Sequence, residues 1–75
     1  MEREIKVGGL YRHFKGTLYR VLAVAKHTET GEALVIYEAR DGGTVYARPK
    51  EMFLSPVERE KYPDVEAEYR FEEEK

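Results

Sequence analysis

The stretch LYRVLAVAKHTETGEALVIYEA, residues 18–39, decides the fold of this chain. Two apolar runs flank a short polar segment, TETGE, that carries one glycine. Two such runs joined by a short glycine-containing loop predict a β-hairpin. A loop of this kind commonly forms a type I turn followed by a left-handed residue, and Gly31 is the candidate for that position.

The faces of the two hairpin strands follow from alternation. In the first strand Tyr19, Val21, Ala23 and Ala25 are predicted on one face, and Leu18, Leu22 and Val24 on the other. In the second strand Val35 and Tyr37 share a face. Because both faces are apolar, we expect the hairpin to form the spine of a closed barrel, with the small alanines allowing the first strand to bend.

Three further strands are predicted outside the hairpin, at residues 10–14, 44–47 and 64–72. Residues 48–53 (RPKEMF) predict one helical turn. The capping-box pattern Ser55-Pro56-Val57-Glu58 predicts a helix that ends before Pro63. Residues 1–6 are expected to fray, and residues 73–75 to form a solvated tail.

These elements together predict an all-β fold. Seventy-five residues give a single domain, residues 1–75, which is too small for a two-sheet sandwich. We therefore expect a small SH3-like barrel or roll of about five strands, with one short helix before the last strand.

Composition excludes several classes of site. The chain has no cysteine and two histidines, which excludes thiol chemistry and the common cysteine and histidine zinc sites. The absence of cysteine leads us to expect a reducing, cytoplasmic setting. No apolar run approaches the roughly 20 residues of a spanning helix, so we expect no membrane partner. Asparagine and glutamine are also absent while 37% of residues are charged, a pattern typical of heat-adapted proteins.

Charge is distributed unevenly along the chain. The net charge is −2, yet residues 1–50 carry nine basic against six acidic residues, and residues 51–75 carry four against nine. The acidic second part disfavours a general nucleic-acid binder, whose domain is normally basic, but it leaves room for a local basic patch.

Five collinear segments resemble a known family: YRHFKG at 11–16, Tyr19 with Val21, AKHTETGE at 25–32, VIY at 35–37 and RPKEMF at 48–53. The chain is similar to a small bacterial family, domain-of-unknown-function family sixteen fifty-three. The family pattern usually has tryptophan where this chain has Tyr46, and this chain is longer before Arg70-Phe71. The resemblance implies an SH3-like barrel and a bacterial protein, and it implies no reaction.

Aromatic and basic residues interleave in two segments, and they are our first candidates for ligand binding. The candidates there are Tyr11, Arg12, His13, Phe14, Lys15 and Tyr19, joined by Tyr46, Arg48 and Lys50 if the barrel closes in the usual way. Such surfaces hold extended peptides in SH3 domains and single-stranded nucleic acid in other barrels. The structural alternative is equally open: most tyrosines fill the core, and Arg48 pairs with Glu29, Glu32 or Glu38.

The hairpin loop supplies three more candidates, His27, Glu29 and Glu32. Hydrogen bonding across the turn is the simpler role for His27, and a backbone-bonded place at the core edge is the simpler role for His13. A metal site built from His13, His27 and either Glu29 or Glu32 is conceivable, as is an enzyme built on His13, His27 and Glu29, although the spacing matches no ligand motif. The single serine, Ser55, is explained by helix capping.

We therefore expect a non-enzymatic binding module for a protein or peptide, without a cofactor. A weak RNA- or DNA-binding module using residues 11–15 is the second hypothesis, and a small metal- or histidine-dependent enzyme is the third. The sequence leaves the oligomeric state open.

Overall fold

A computed structural model describes residues 4–74, which form a five-stranded antiparallel sheet with one short helix. The elements are β1 Leu10–His13, β2 Leu18–Lys26, β3 Ala33–Ala39, β4 Val45–Pro49, α1 Lys50–Phe53 and β5 Phe71–Glu73. The strand order is β4-β3-β2-β1-β5, so β4 and β5 are the two edges of the sheet. The predicted small all-β barrel or roll of about five strands is confirmed. Within the described residues, no helix has the length and apolar character needed to cross a membrane.

One face of the sheet, here called the inner face, carries the core. Five strand residues there, together with Phe53 of α1, form a core cluster whose members are less than 5% exposed: Tyr11, Val21, Val35, Tyr37 and Phe71. Phe53 stacks on Phe71 with ring centroids 4.1 Å apart, and Phe71 also lies 5.5 Å from Tyr37. Because β2 and β1 separate β3 from β5 in the sheet, this last contact requires the sheet to roll up. The fold therefore brings its last strand over its central strands.

The predicted hairpin is present as β2 and β3. The His27 amide donates to the Glu32 carbonyl (2.8 Å), and the Gly31 amide donates to the His27 carbonyl (2.9 Å). Gly31 has φ of +77°, the left-handed conformation that glycine adopts without steric cost. The prediction for Gly31 is confirmed.

A β-bulge at Leu22 changes the faces predicted for β2. Val21 pairs with Tyr37 but Ala23 pairs with Ile36, so Leu22 is one extra residue on β2. Beyond the bulge Val24, and not Ala23, lies across from the inward-facing Val35. The strict alternation was therefore wrong after Val21. Leu22 and Val24 are 39% and 43% exposed, so this end of the hairpin is not covered on both sides as we expected.

The helix predicted from Ser55 does not form. Ser55 Oγ donates to the Met52 carbonyl at 2.6 Å, at the end of α1, and so does not cap a new helix. Residues 55–57 are instead extended: the Val57 amide donates to Glu68, and the Arg70 amide donates to Ser55. A helix this short is stable only with tertiary contacts. Here the extended conformation is favoured instead, because it pairs residues 55–57 with residues 68–70 and buries Val57. One helical hydrogen bond remains, from Tyr62 to Glu58.

The fifth strand is shorter than predicted. β5 is limited to Phe71–Glu73, and Tyr69 makes only an isolated bridge to Pro56, because the chain changes partners between residues 70 and 71. The alternation of burial over residues 65–72 holds for Phe71, which is buried, and for Glu66, Glu68 and Glu72, which are exposed. It fails at Arg70, which was predicted to face outward and is partly buried.

The remaining ends differ by one to two residues. β1 stops at His13, because the Phe14 amide donates to Arg70 (3.0 Å) instead of continuing the ladder with β2. β4 continues through Pro49, which an edge strand tolerates. Of the ends predicted to be loose, Ile5 packs on the core and Glu74 bonds to the Leu10 carbonyl, while residues 1–3 and 75 lie outside the described part.

Candidate functional site on the inner face of the sheet

The rolled sheet brings two candidate residues, His13 and Arg48, to the same buried ring. His13 ends β1 and its ring centroid is 4.9 Å from that of Phe71. Arg48 is on β4, and its guanidinium carbon is 5.7 Å from the Phe71 centroid. Phe71 is 1% exposed, whereas His13 and Arg48 are only partly buried. Phe71 is therefore the floor of a shared site.

Tyrosines form the wall of this site. Tyr46 on β4 stacks on Tyr37 at 5.6 Å and meets the edge of Tyr19 at 6.1 Å. Tyr19 in turn lies 5.6 Å from Phe71. Tyr46 is 43% exposed while Tyr37 is buried, so Tyr46 presents aromatic surface to solvent. We call the group of His13, Tyr19, Tyr46, Arg48 and Phe71 the aromatic–cationic site.

Arg48 is held in place without a carboxylate partner. Its Nε donates to the Tyr37 hydroxyl at 3.1 Å. The proposed clamp to Glu29, Glu32 or Glu38 is wrong, because no ion pair of Arg48 exists within residues 4–74. Arg48 lies across from Val35, near the β2–β3 loop, but Glu29 and Glu32 in that loop are exposed and form no ion pair with it. A positioned guanidinium without an acid beside it is suited to an external anion.

Positive charge surrounds His13 as well. The pKa of His13 is lowered from its usual 6.5, first by partial burial of the ring and then by the positive charges of Arg48, Arg70 and Lys15. His13 Nδ1 accepts a hydrogen bond from the Lys15 amide at 3.1 Å, which satisfies one ring nitrogen. The site is thus locally electropositive in a chain whose net charge is negative.

Folding stability should depend on pH through His13. Because its pKa is lower in the folded than in the unfolded chain, the unfolded chain binds the proton first as pH falls. We expect the free energy of unfolding to be highest above pH 6.5 and to fall as pH is lowered through the folded pKa. Urea unfolding followed by circular dichroism between pH 7.5 and pH 5.5 measures this slope.

The two histidines provide a matched comparison for that measurement. His13→Gln should flatten the slope, whereas His27→Gln, in the β2–β3 loop, should leave it in place. If the free energy of unfolding of His13→Gln depended on pH as steeply as that of the wild type, the assignment of this dependence to His13 would be contradicted.

Three other candidates, two in β1 and one in the turn after it, do not join the site. Tyr11 is buried in the core, and its hydroxyl accepts from the Lys6 amide at 2.9 Å. Arg12 pairs with Glu74 at 3.0 Å and also donates to the Gly16 carbonyl. Lys15 points its ammonium at the ring of Tyr62, 5.4 Å from the centroid. Each is occupied by an internal contact.

The loop candidates are separated from His13 by the length of β2. His27 follows β2, whereas His13 precedes it. His27 Nδ1 accepts from the amides of Glu29 (3.1 Å) and Thr30 (3.3 Å), which is the cross-turn role considered above. The side chains of Glu29 and Glu32 are exposed. The structure therefore does not bring His13, His27 and Glu29 together, and no cluster of three potential metal ligands occurs in residues 4–74.

Two open grooves lie near the β1–β2 turn. One, of about 660 Å³, is lined by Lys15, Gly16, Thr17, Leu18, Arg40 and Asp41. The other, of about 200 Å³, lies between β1 and β5 and includes Arg12, His13 and three glutamates, Glu72 to Glu74. Both mix charges of opposite sign, and the second groove shares His13 with the aromatic–cationic site.

Tyr37, Arg70 and Phe71 shape the site but were not among the sequence candidates. Arg70 bonds to Ser55 Oγ at 3.3 Å and lies 3.9 Å from Glu58, so the extended pairing of residues 55–57 positions it. Alternation in residues 65–72 did mark Phe71 as inward-facing. Nothing local in the sequence shows that this ring reaches β3 and β4.

The comparisons identify the family. The family model described as "Protein of unknown function (DUF1653)" matches residues 9–73, and the chain belongs to this family. No curated protein and no solved structure gives a significant match. The family membership confirms the resemblance seen in the sequence, and the role of the site rests on its geometry.

Proposed function

We propose that this protein is a non-enzymatic binding module that takes an acidic side chain of a protein or peptide partner into the aromatic–cationic site. The observation that carries the proposal is Arg48: it is fixed by the Tyr37 hydroxyl above the buried Phe71 ring and has no carboxylate partner in residues 4–74. Hydrogen bonds between a guanidinium and a carboxylate are among the stronger ones in proteins. The exposed ring of Tyr46 adds apolar contact beside the charge.

The surroundings favour a single acidic group over a long polyanion. Nucleic-acid sites follow the phosphate backbone with several cations. Here Arg12 is neutralised by Glu74, and β5 presents Glu72 and Glu73 next to β1. These carboxylates interrupt any basic path that starts at Arg48 and His13.

Binding of single-stranded nucleic acid is the second candidate. The observation in its favour is Tyr46, whose ring is 43% exposed and lies close to a guanidinium, since bases stack on such rings. The two candidates differ in how affinity depends on salt, because each phosphate contact adds to the slope of log K against log salt.

One paired experiment decides between them. A displayed library of random 12-residue peptides is selected against the immobilised protein, and a fluorescent ten-residue oligothymidylate is titrated in parallel from 50 to 300 mM salt. We expect the selected peptides to share an Asp or Glu, and the oligothymidylate to bind weakly at 150 mM salt. Selection without enrichment of an acidic residue would overturn the proposal. The proposal would also be overturned if the oligothymidylate bound more tightly than every selected peptide and its slope of log K against log salt corresponded to several phosphate contacts.

A further inference from the structure

The two edges of the sheet are protected very differently. β5 is three residues long, and Glu72, Glu73 and Glu74 follow one another there. Consecutive like charges on a short edge discourage further strand pairing. β4 has five residues, and three of them, Val45, Tyr46 and Ala47, are uncharged and exposed. β4 is therefore the edge that remains open to another strand.

The ladder fixes which groups of β4 face outward. The Ala39 amide donates to the Thr44 carbonyl at 3.0 Å, which makes Ala39 and Thr44 a hydrogen-bonded pair. Bonded and non-bonded pairs alternate in an antiparallel ladder. Tyr46 and Arg48 therefore bond to β3, and Val45 and Ala47 direct their N–H and C=O groups to the free edge.

The side chains of the same strand place the open edge beside the aromatic–cationic site. Tyr46 pairs with the inward-facing Tyr37 and Arg48 with the inward-facing Val35, so both lie on the inner face. They are two residues apart, about 7 Å along a strand. A strand added to β4 would present its own alternate residues to Tyr46 and Arg48 at the same spacing.

We propose that the partner binds as an extended segment that adds a sixth strand to the edge of β4, with an acidic residue opposite Arg48 and an apolar or aromatic residue, two positions away, opposite Tyr46. This inference rests on the proposed function and specifies how the partner is held. Main-chain hydrogen bonds to Val45 and Ala47 supply affinity in this mode, and the alternate side chains supply specificity.

Charge disfavours pairing of β4 with β4 of a second copy, and the consecutive glutamates of the short β5 disfavour pairing through that edge. β4 of another copy has the sequence VYARP and contains an arginine but no carboxylate. Self-pairing along β4 would bring a second guanidinium to the site and leave both without an acid. An acidic segment neutralises Arg48 and lowers the repulsion on His13.

The test uses a peptide from the library selection described above and the full protein labelled with ¹⁵N. Two peptide derivatives each carry one N-methyl group, and the two groups are on adjacent residues. Because successive amides of an extended strand point to opposite sides, only one of the two derivatives loses an amide that is directed at β4. We expect slowed hydrogen exchange of the Val45 and Ala47 amides on peptide binding. We also expect at least a tenfold loss of affinity for one N-methyl derivative and little change for the other.

The outcomes separate this inference from the proposed function. Acidic peptides that bind, but leave the exchange of Val45 and Ala47 unchanged and tolerate both N-methyl groups, would overturn strand addition while supporting the site. Slowed exchange of the same amides at high protein concentration without peptide, together with a dimer mass by light scattering, would assign the edge to a second copy and also overturn it. Absence of acidic peptides from the selection would overturn both.

Discussion

Replacing Arg48 with glutamine is expected to weaken binding of a library-selected acidic peptide by roughly ten- to a hundredfold. A hydrogen bond to a charged group contributes about 1.5–3 kcal/mol, and about 1.4 kcal/mol corresponds to a factor of ten. Glutamine keeps a donor that can reach the Tyr37 hydroxyl, so the change removes the charge while preserving the local shape. Isothermal titration calorimetry at 150 mM salt measures the loss.

Two variants control for this result. Lys26→Gln removes the same charge at the exposed far end of β2 and should leave the affinity unchanged. Arg48→Lys retains the charge but not the planar fork, and its affinity should fall between the wild type and Arg48→Gln. Equal affinities of Arg48→Gln and Lys26→Gln for the peptide would show that Arg48 does not recognise the acid.

Replacing Phe71 with alanine is expected to lower the free energy of unfolding by about 3–5 kcal/mol. Its ring contacts Phe53, Tyr37, Tyr19 and His13, which come from four different elements, so the cavity cannot be closed by moving one of them. The free energy of unfolding of a native domain is about 5–15 kcal/mol in total, so this substitution removes a large fraction of it. Urea unfolding at pH 7.5 measures the change, and a broadened or absent transition counts as the upper end of the range.

The matched control is Phe14→Ala. Phe14 is also aromatic, but it is only half-buried, and it packs against Tyr62 and His13 at the edge of the molecule. Its loss should cost clearly less than that of Phe71. Phe71→Leu keeps most of the volume and should cost less than about 1.5 kcal/mol. A Phe71→Ala protein as stable as Phe14→Ala would refute the central position given to this ring.

Local patterns predicted much of the fold, because hairpins and turns are encoded by neighbouring residues. Apolar runs and Gly31 predicted the β2–β3 hairpin, and the fourth strand was predicted within two residues of its ends. Prediction failed where distant pairing decides the structure. Ser55 to Glu58 matches a capping box, yet residues 68–70 pair with this segment and keep it extended. The bulge at Leu22 could not be predicted, because the residues around it are all apolar and are therefore compatible with either face of the strand.

The candidate site was predictable in part for the same reason. His13, Tyr46 and Arg48 were recognisable as an aromatic and basic set, and a barrel-like closure brings β1 and β4 towards one another. Phe71, the common neighbour of His13 and Arg48, is 58 residues beyond His13 in the chain, and only the roll of the sheet reveals these contacts. His27 was chosen for its chemistry, and its backbone hydrogen bonds show that the turn accounts for it.

The extra residue at position 22 also bears on how this chain tolerates changes in length. In a regular strand, loss of one residue exchanges the two faces of everything beyond it. At Leu22 the residues on either side, Val21 and Ala23, already pair with adjacent residues of β3. Deleting Leu22 would leave every cross-strand pair of β2 and β3 unchanged. Deleting any other residue of β2 would require either that the bulge move or that the residues near the hairpin loop change partners. Lengths that differ by one residue are therefore compatible with the same core at this position.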